Sequence, residues 1–117
     1  MRVLAFEDHY DIEAMLTAGG VNMEQIVIEQ RWNSSKALER IQAFVPDVLL
    51  LDHYMPPLTG FQVLEALLNS ELKRPRAVIA MSSDSDKNDA MVALGADRGV
   101  VKFDLAALDM WPRNSVV

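Results

Sequence analysis

The 117-residue sequence predicts a five-stranded doubly wound α/β domain spanning residues 1–117, with a parallel sheet between two layers of helices. Three observations predict it. Strand-length apolar runs recur at fairly even intervals, segments with helical spacing lie between them, and the central runs are continuously apolar. A strand that is apolar along its whole length must be covered on both faces, which is the situation of a parallel sheet.

Taken in order, the first run is Val3 to Phe6, followed by the acids Glu7 and Asp8 and then by Ile12, Met15 and Leu16 at helical spacing. The second is Ile26 to Ile28. Asn33 or Ser34 is placed to cap the helix that carries Ala37, Leu38, Ile41 and Phe44. The third run, Val48 to Leu51, ends on Asp52 and enters a loop with Pro56, Pro57 and Gly60. Thr59 and Gln62 then form a capping box ahead of Phe61, Leu64, Leu67 and Leu68. Val78 to Met81 is the fourth run and ends in Ser82 and Ser83. Asp84 or Ser85 caps a helix with Ala90, Met91 and Leu94, which Gly95 stops in a left-handed turn. The fifth run is Val100 to Val101, ahead of Lys102. A last, short helix is expected from Leu105 to about Trp111, capped by Asp104 and closed by Pro112. Met15, Met23, Met81 and Met91 read as core or near-core filler, and Trp32 and Trp111 as packing residues.

Composition narrows the function. Half the residues are apolar, so a core can form without staples, and the absence of cysteine excludes thiolate chemistry. The net charge is −6 and the eleven Lys and Arg are scattered, which argues against a phosphate-backbone binding face and hence against direct nucleic-acid binding. No apolar run approaches a membrane span, and "MRVLAF" is too short for a signal peptide, so no membrane contact and a cytoplasmic location are expected.

Ligands of an open parallel sheet bind beyond the carboxyl ends of its strands. Those ends carry Glu7 and Asp8, Asp52, Ser82 and Lys102. Acids gathered at a partly desolvated edge repel one another unless a cation neutralises them, and magnesium suits oxygen ligands of this kind. A carboxylate beside such an ion can attack a phosphoryl group, with Lys102 and Ser82 stabilising the transferred oxygens. His9 and His53 adjoin the acids but form no spaced ligand set, and solvent exposure is expected for both.

From Arg2 to about Leu108 the chain resembles the receiver domain of bacterial two-component response regulators. The resemblance rests on the Glu7–Asp8 pair, on "DHYMPPLTG" with Asp52, Met55, Pro56 and Gly60, on Ser82, and on Lys102 after "GADRGVV". It implies a flavodoxin-like strand order 2-1-3-4-5 and a phosphoacceptor signalling domain that is not an enzyme. It also implies phosphoryl transfer to Asp52 from a phosphohistidine of a sensor histidine kinase or phosphotransfer protein, and control of an unknown downstream protein. Asp8, Asp52 and the backbone carbonyl of Tyr54 would hold magnesium, with Glu7 acting directly or through water. Ser82 and Lys102 would contact the phosphoryl group.

The sequence departs from the family at its end. Phe103 follows Lys102 where proline is usual, so a trans peptide is expected there. Gly99 stands where an aromatic switch residue is usual, and the final helix is short. These departures support an alternative, a pseudo-receiver that binds partners without phosphorylation. A phosphate-ester hydrolase fits poorly, because Tyr54 occupies the place of the second acid such enzymes need.

Overall fold

The computed structural model describes residues 1–114. Its strands are β1 (Arg2–Phe6), β2 (Val27–Arg31), β3 (Val48–Leu51), β4 (Ala77–Ala80) and β5 (Arg98–Gly99). Its helices are α1 (Ile12–Ala18), α2 (Ala37–Phe44), α3 (Gly60–Leu68) and α4 (Ser85–Leu94). All pairings between these strands are parallel and the order is β2-β1-β3-β4-β5, as the resemblance implies.

The continuously apolar strands do what their composition demands, because alternate residues face opposite layers. Leu4, Phe6, Leu49, Leu51, Val78 and Ala80 pack toward α2, α3 and α4. Val3, Ala5, Val48, Leu50 and Ile79 pack toward α1 and the end of the chain. In register, Phe6 lies opposite Leu51 and Leu51 opposite Ala80, so β1, β3 and β4 stop at the same level. Whatever follows each strand is therefore delivered to one edge.

Two local features shape the loop beyond β3. The Thr59–Gln62 capping box forms in both directions, fixing the start of α3. Gly60 must be glycine, since a methyl group there would collide with the Asp52 carbonyl oxygen. The backbone of α3 thus sits directly against the residue that ends the central strand.

Four expectations are corrected. The start of α2 is not capped by Asn33 or Ser34: Lys36, left-handed at φ 55°, precedes the helix with no side-chain cap. Asn33 instead accepts from the Ser35 amide, and the buried Ser34 hydroxyl bridges the loop, donating to Leu58 O and accepting from Leu58 N, both at 2.7 Å. Ser34 serves the proline loop instead, meeting both backbone groups of Leu58 where Pro56 and Pro57 have no N–H to offer.

The fifth strand comes earlier than its apolar run, at Arg98–Gly99 in place of Val100–Val101. Only the first part of this segment reaches β4, and Val100 continues with a single bond to Ala80 O at 2.9 Å.

The expected helix from Leu105 to Trp111 is replaced by a 3-10 helix over Lys102–Ala107. The reason is periodic: Lys102, Leu105, Leu108 and Trp111 are all buried and recur every third residue, which is the repeat of a 3-10 helix. The expected shortness holds. The Arg113 guanidinium ties this end to α1 through Gly19 O and Ala106 O.

Finally, Trp111 packs as expected, donating to Leu105 O, but Trp32 is 50% exposed. It follows the last residue of the edge strand β2, where no helix covers it. No described helix is long and apolar enough to cross a membrane.

Gly60→Ala is expected to cost about 3 kcal/mol or more, and Ser34→Ala about 1–3 kcal/mol by orphaning the Leu58 amide and carbonyl. Urea denaturation read by circular dichroism measures both.

Candidate functional site

The common level of the strand ends brings the sequence-predicted residues to one rim. Glu7 follows β1 and is fully buried, Asp52 follows β3 and is 3% exposed, and Lys102 begins the 3-10 helix and is 4% exposed. Lys102 Nζ lies 2.7 Å from Glu7 Oε1 and 3.5 Å from Asp52 Oδ2. The lysine therefore reaches the acids although Phe103 follows it. The cis peptide among the described residues is Pro56–Pro57, so Lys102–Phe103 is trans as expected.

Each acid has its own setting. Glu7 Oε2 accepts from the amides of His9 and Tyr10 at 2.8 and 2.9 Å, which turns the carboxylate inward. Asp52 Oδ1 accepts from the His53 amide at 2.8 Å. Asp8 is exposed, yet one oxygen from each of Glu7, Asp8 and Asp52 falls within 4.8 Å of the others.

The electrostatics follow from this crowding. Burial, and then the charge of Glu7, raise the Asp52 pKa from 3.8 to about 6, against the pull of Lys102 and the His53 amide. Burial works against the Lys102 ammonium, but Glu7 and Asp52 outweigh it and raise its pKa. The rim thus holds more negative charge than its one lysine balances. A hard divalent cation fits such an all-oxygen set, with Asp8 and Asp52 offering oxygens and Glu7 already engaged by two amides and Lys102. The Tyr54 carbonyl, two residues beyond Asp52, accepts no backbone bond among the described residues and is open to such a role.

Ser82 is fully buried at the end of β4, one residue beyond Met81, whose amide bonds to Leu51 O. Its hydroxyl accepts from the Asp84 amide at 3.1 Å, leaving the hydroxyl proton to donate. The Tyr54 hydroxyl donates to Asp84 Oδ2 at 2.8 Å, joining the loop after β3 to the start of α4. This hydrogen bond raises the tyrosine pKa and lowers that of Asp84.

His9 is exposed as expected, while His53 is only half-exposed and burial lowers its pKa. Neither joins the acid cluster. Two contributors escaped the sequence reading. Tyr10 lays its ring 5.3 Å from Lys102 Nζ and edge-on to Phe103. Asn88, buried in α4, holds the Ser82 backbone. Its signal was a polar residue three positions before the core residue Met91, on the same helical face.

Comparison with known proteins agrees with this geometry. Residues 3–108 match the family model of the response regulator receiver domain. A protein-glutamate methylesterase/protein-glutamine glutaminase 2 of Vibrio vulnificus is 32% identical over 99% of this chain and 31% of its own length. The signal receiver domain of a DNA-binding response regulator from Colwellia psychrerythraea superposes with a TM-score of 0.71 at 28% identity, covering 87% of this chain and 85% of that one. The response regulator TrrA of Thermotoga maritima, solved in complex with Mg(2+)-BeF, gives a TM-score of 0.68 at 23% identity over 86% and 85% of the two chains, a likeness of fold. The chain spans about a third to a half of the length of the curated relatives it matches.

The raised Asp52 pKa has a consequence for stability with a definite sign. Between pH 3.8 and about 6 the folded chain binds a proton that the unfolded chain has released, so stability falls as pH rises through that window and stays lowered above it. With a chelator present, Asp52→Asn is expected to be more stable than the wild type above pH 6, by about 1–3 kcal/mol. The difference should vanish as the pH drops toward 3.8, and added Mg2+ should narrow it at neutral pH by stabilising the wild type. Urea unfolding across a pH series measures both effects.

Proposed function

The chain belongs to the response regulator receiver domain family of two-component systems, and on that premise we propose that it is a phosphoacceptor switch centred on Asp52. The observation that carries this reading is the Asp52 carboxylate itself. It is buried at the end of the central strand with a raised pKa, an ammonium 3.5 Å away and two further acids beside it.

The chemistry runs as an in-line exchange. An Asp52 oxygen attacks the phosphorus of a phosphohistidine on a sensor histidine kinase or phosphotransfer protein. The P–N bond breaks, the histidine leaves with its electron pair and takes a proton, and an acyl phosphate forms on Asp52. Lys102 and the Ser82 hydroxyl offer donors to the transferred oxygens. Magnesium, held by Asp8, Asp52 and the Tyr54 carbonyl, with Glu7 direct or through water, supplies charge neutralisation when bound. Lys102, 2.7 Å from Glu7 and 3.5 Å from Asp52, would turn to the phosphoryl group, where its ammonium would meet the new negative charge.

In this reading the domain is not an enzyme with a separate substrate. It works in the cytoplasm, its state changes the binding of a downstream protein, and it makes no direct contact with nucleic acid or membrane. The pseudo-receiver alternative draws on Gly99 and Phe103, and the same experiment separates the two.

Incubation with a small-molecule phosphodonor and Mg2+ is expected to add the mass of one phosphoryl group, localised to Asp52 by peptide mass spectrometry and absent in Asp52→Asn. Lys102→Met should slow the gain by roughly one to two orders of magnitude. An unchanged mass in the wild type would establish the binding-module reading.

A further inference from the structure

Asn88 lies in the first half of α4 and is 3% exposed, and its side chain makes three hydrogen bonds, none of them within its own helix. Its Oδ1 accepts from the Ser82 amide at 2.7 Å. Its Nδ2 donates to Ser82 O and to Val100 O, each at 2.9 Å. The orientation of the amide is fixed by chemistry, since the reverse would set the oxygen against two carbonyls and the NH2 against an N–H. One side chain therefore grips both backbone groups of Ser82 and, with the same nitrogen, the segment just beyond β5.

The neighbouring chain is shaped to allow this. At Gly99 an added Cβ would lie 3.1 Å from Asn88 Cβ and 3.4 Å from Val92 Cγ2, so α4 rests directly on the β5 backbone. A larger residue at position 99 would require Asn88 or Val92 to give by a few tenths of an ångström. Ser82, α4 and Val100 form a single closely packed joint.

We propose that Asn88 is the positioning residue for Ser82 and the element that carries the state of Asp52 into α4 and Val100. This rests on the phosphoacceptor reading above. When the Ser82 hydroxyl swings or shifts toward a phosphoryl oxygen, any movement of its backbone must be followed by the Asn88 amide or must break two short buried bonds. An unpaired buried amide and carbonyl are costly, so the amide follows. Through the Nδ2 bond to Val100, the segment leading to Lys102 is drawn along, which couples the hydroxyl and the ammonium of the site.

The test uses isotope-labelled full chain, with beryllium fluoride and Mg2+ as the phosphoryl probe and amide chemical shifts as the readout. In the wild type the probe is expected to shift Asp52, His53 and Ser82 together with Val100 and the α4 amides from Lys87 to Val92. In Asn88→Ala the shifts at Asp52 and His53 should persist while those at Val100 and α4 are lost. Asn88→Ser, whose hydroxyl is too short to span Ser82 and Val100 together, guards against a misfolded alanine variant and should likewise lose the Val100 shift. Val100 and α4 shifts of wild-type size in a folded variant would overturn the role of Asn88 and leave the phosphoacceptor reading intact. A wild type whose Asp52 and His53 amides ignore the probe would overturn that reading and this one with it.

Discussion

The arrangement depends on three charges held out of water at the end of a parallel sheet: Glu7, Asp52 and Lys102, each less than 5% exposed. Placing charges there is unfavourable: Lys102 and Glu7 offset each other at 2.7 Å, while Asp52, repelled by Glu7, is left short of a cation. Removing Lys102 would cost about 3–5 kcal/mol, because two acids would lose their cation while still deprived of water. The three come from β1, β3 and the segment after β5, so the cluster can exist only when the sheet is assembled in register. The apolar strands and the charged rim are two parts of one requirement, the first providing burial and the second making it bearable.

A carboxylate with a raised proton affinity at neutral pH is an unsettled group. Asp52 has Glu7 as a repelling neighbour, and Lys102 sits closer to Glu7 than to Asp52. The excess negative charge is what makes a cation and an incoming phosphoryl group welcome, and it distinguishes this rim from an ordinary salt-bridge network, in which the signs would balance. Tyr10 completes the enclosure by covering the lysine while its own amide helps orient Glu7.

Much of this was legible in the sequence because it was written locally. Leu49 to Leu51 running into Asp52 marked both a doubly covered strand and the residue at its end, and Thr59 with Gln62 marked the start of α3. The parts that were not legible are held by partners distant in the chain. Ser34 suits a helix cap by type, yet it is claimed by Leu58, which only the fold brings near. Asn88 belongs to a helix with a mixed surface, and its three acceptors and donors lie on other elements. At the end of the chain the misreading was one of period: Leu105, Leu108 and Trp111 suit either a loose α-helical face or a stricter threefold repeat, and burial of Lys102 selects the latter.

The brevity of β5 has a consequence for assembly. An outer strand is ordinarily a template on which another chain can extend the sheet, because it displays a row of unpaired amides and carbonyls. Two residues, Arg98 and Gly99, display almost none, and the chain then turns inward to bring Lys102 to the acids. Growth of the sheet by strand addition is therefore disfavoured on this side. Any molecule that binds there must recognise side chains, among them the 62% exposed ring of Phe103.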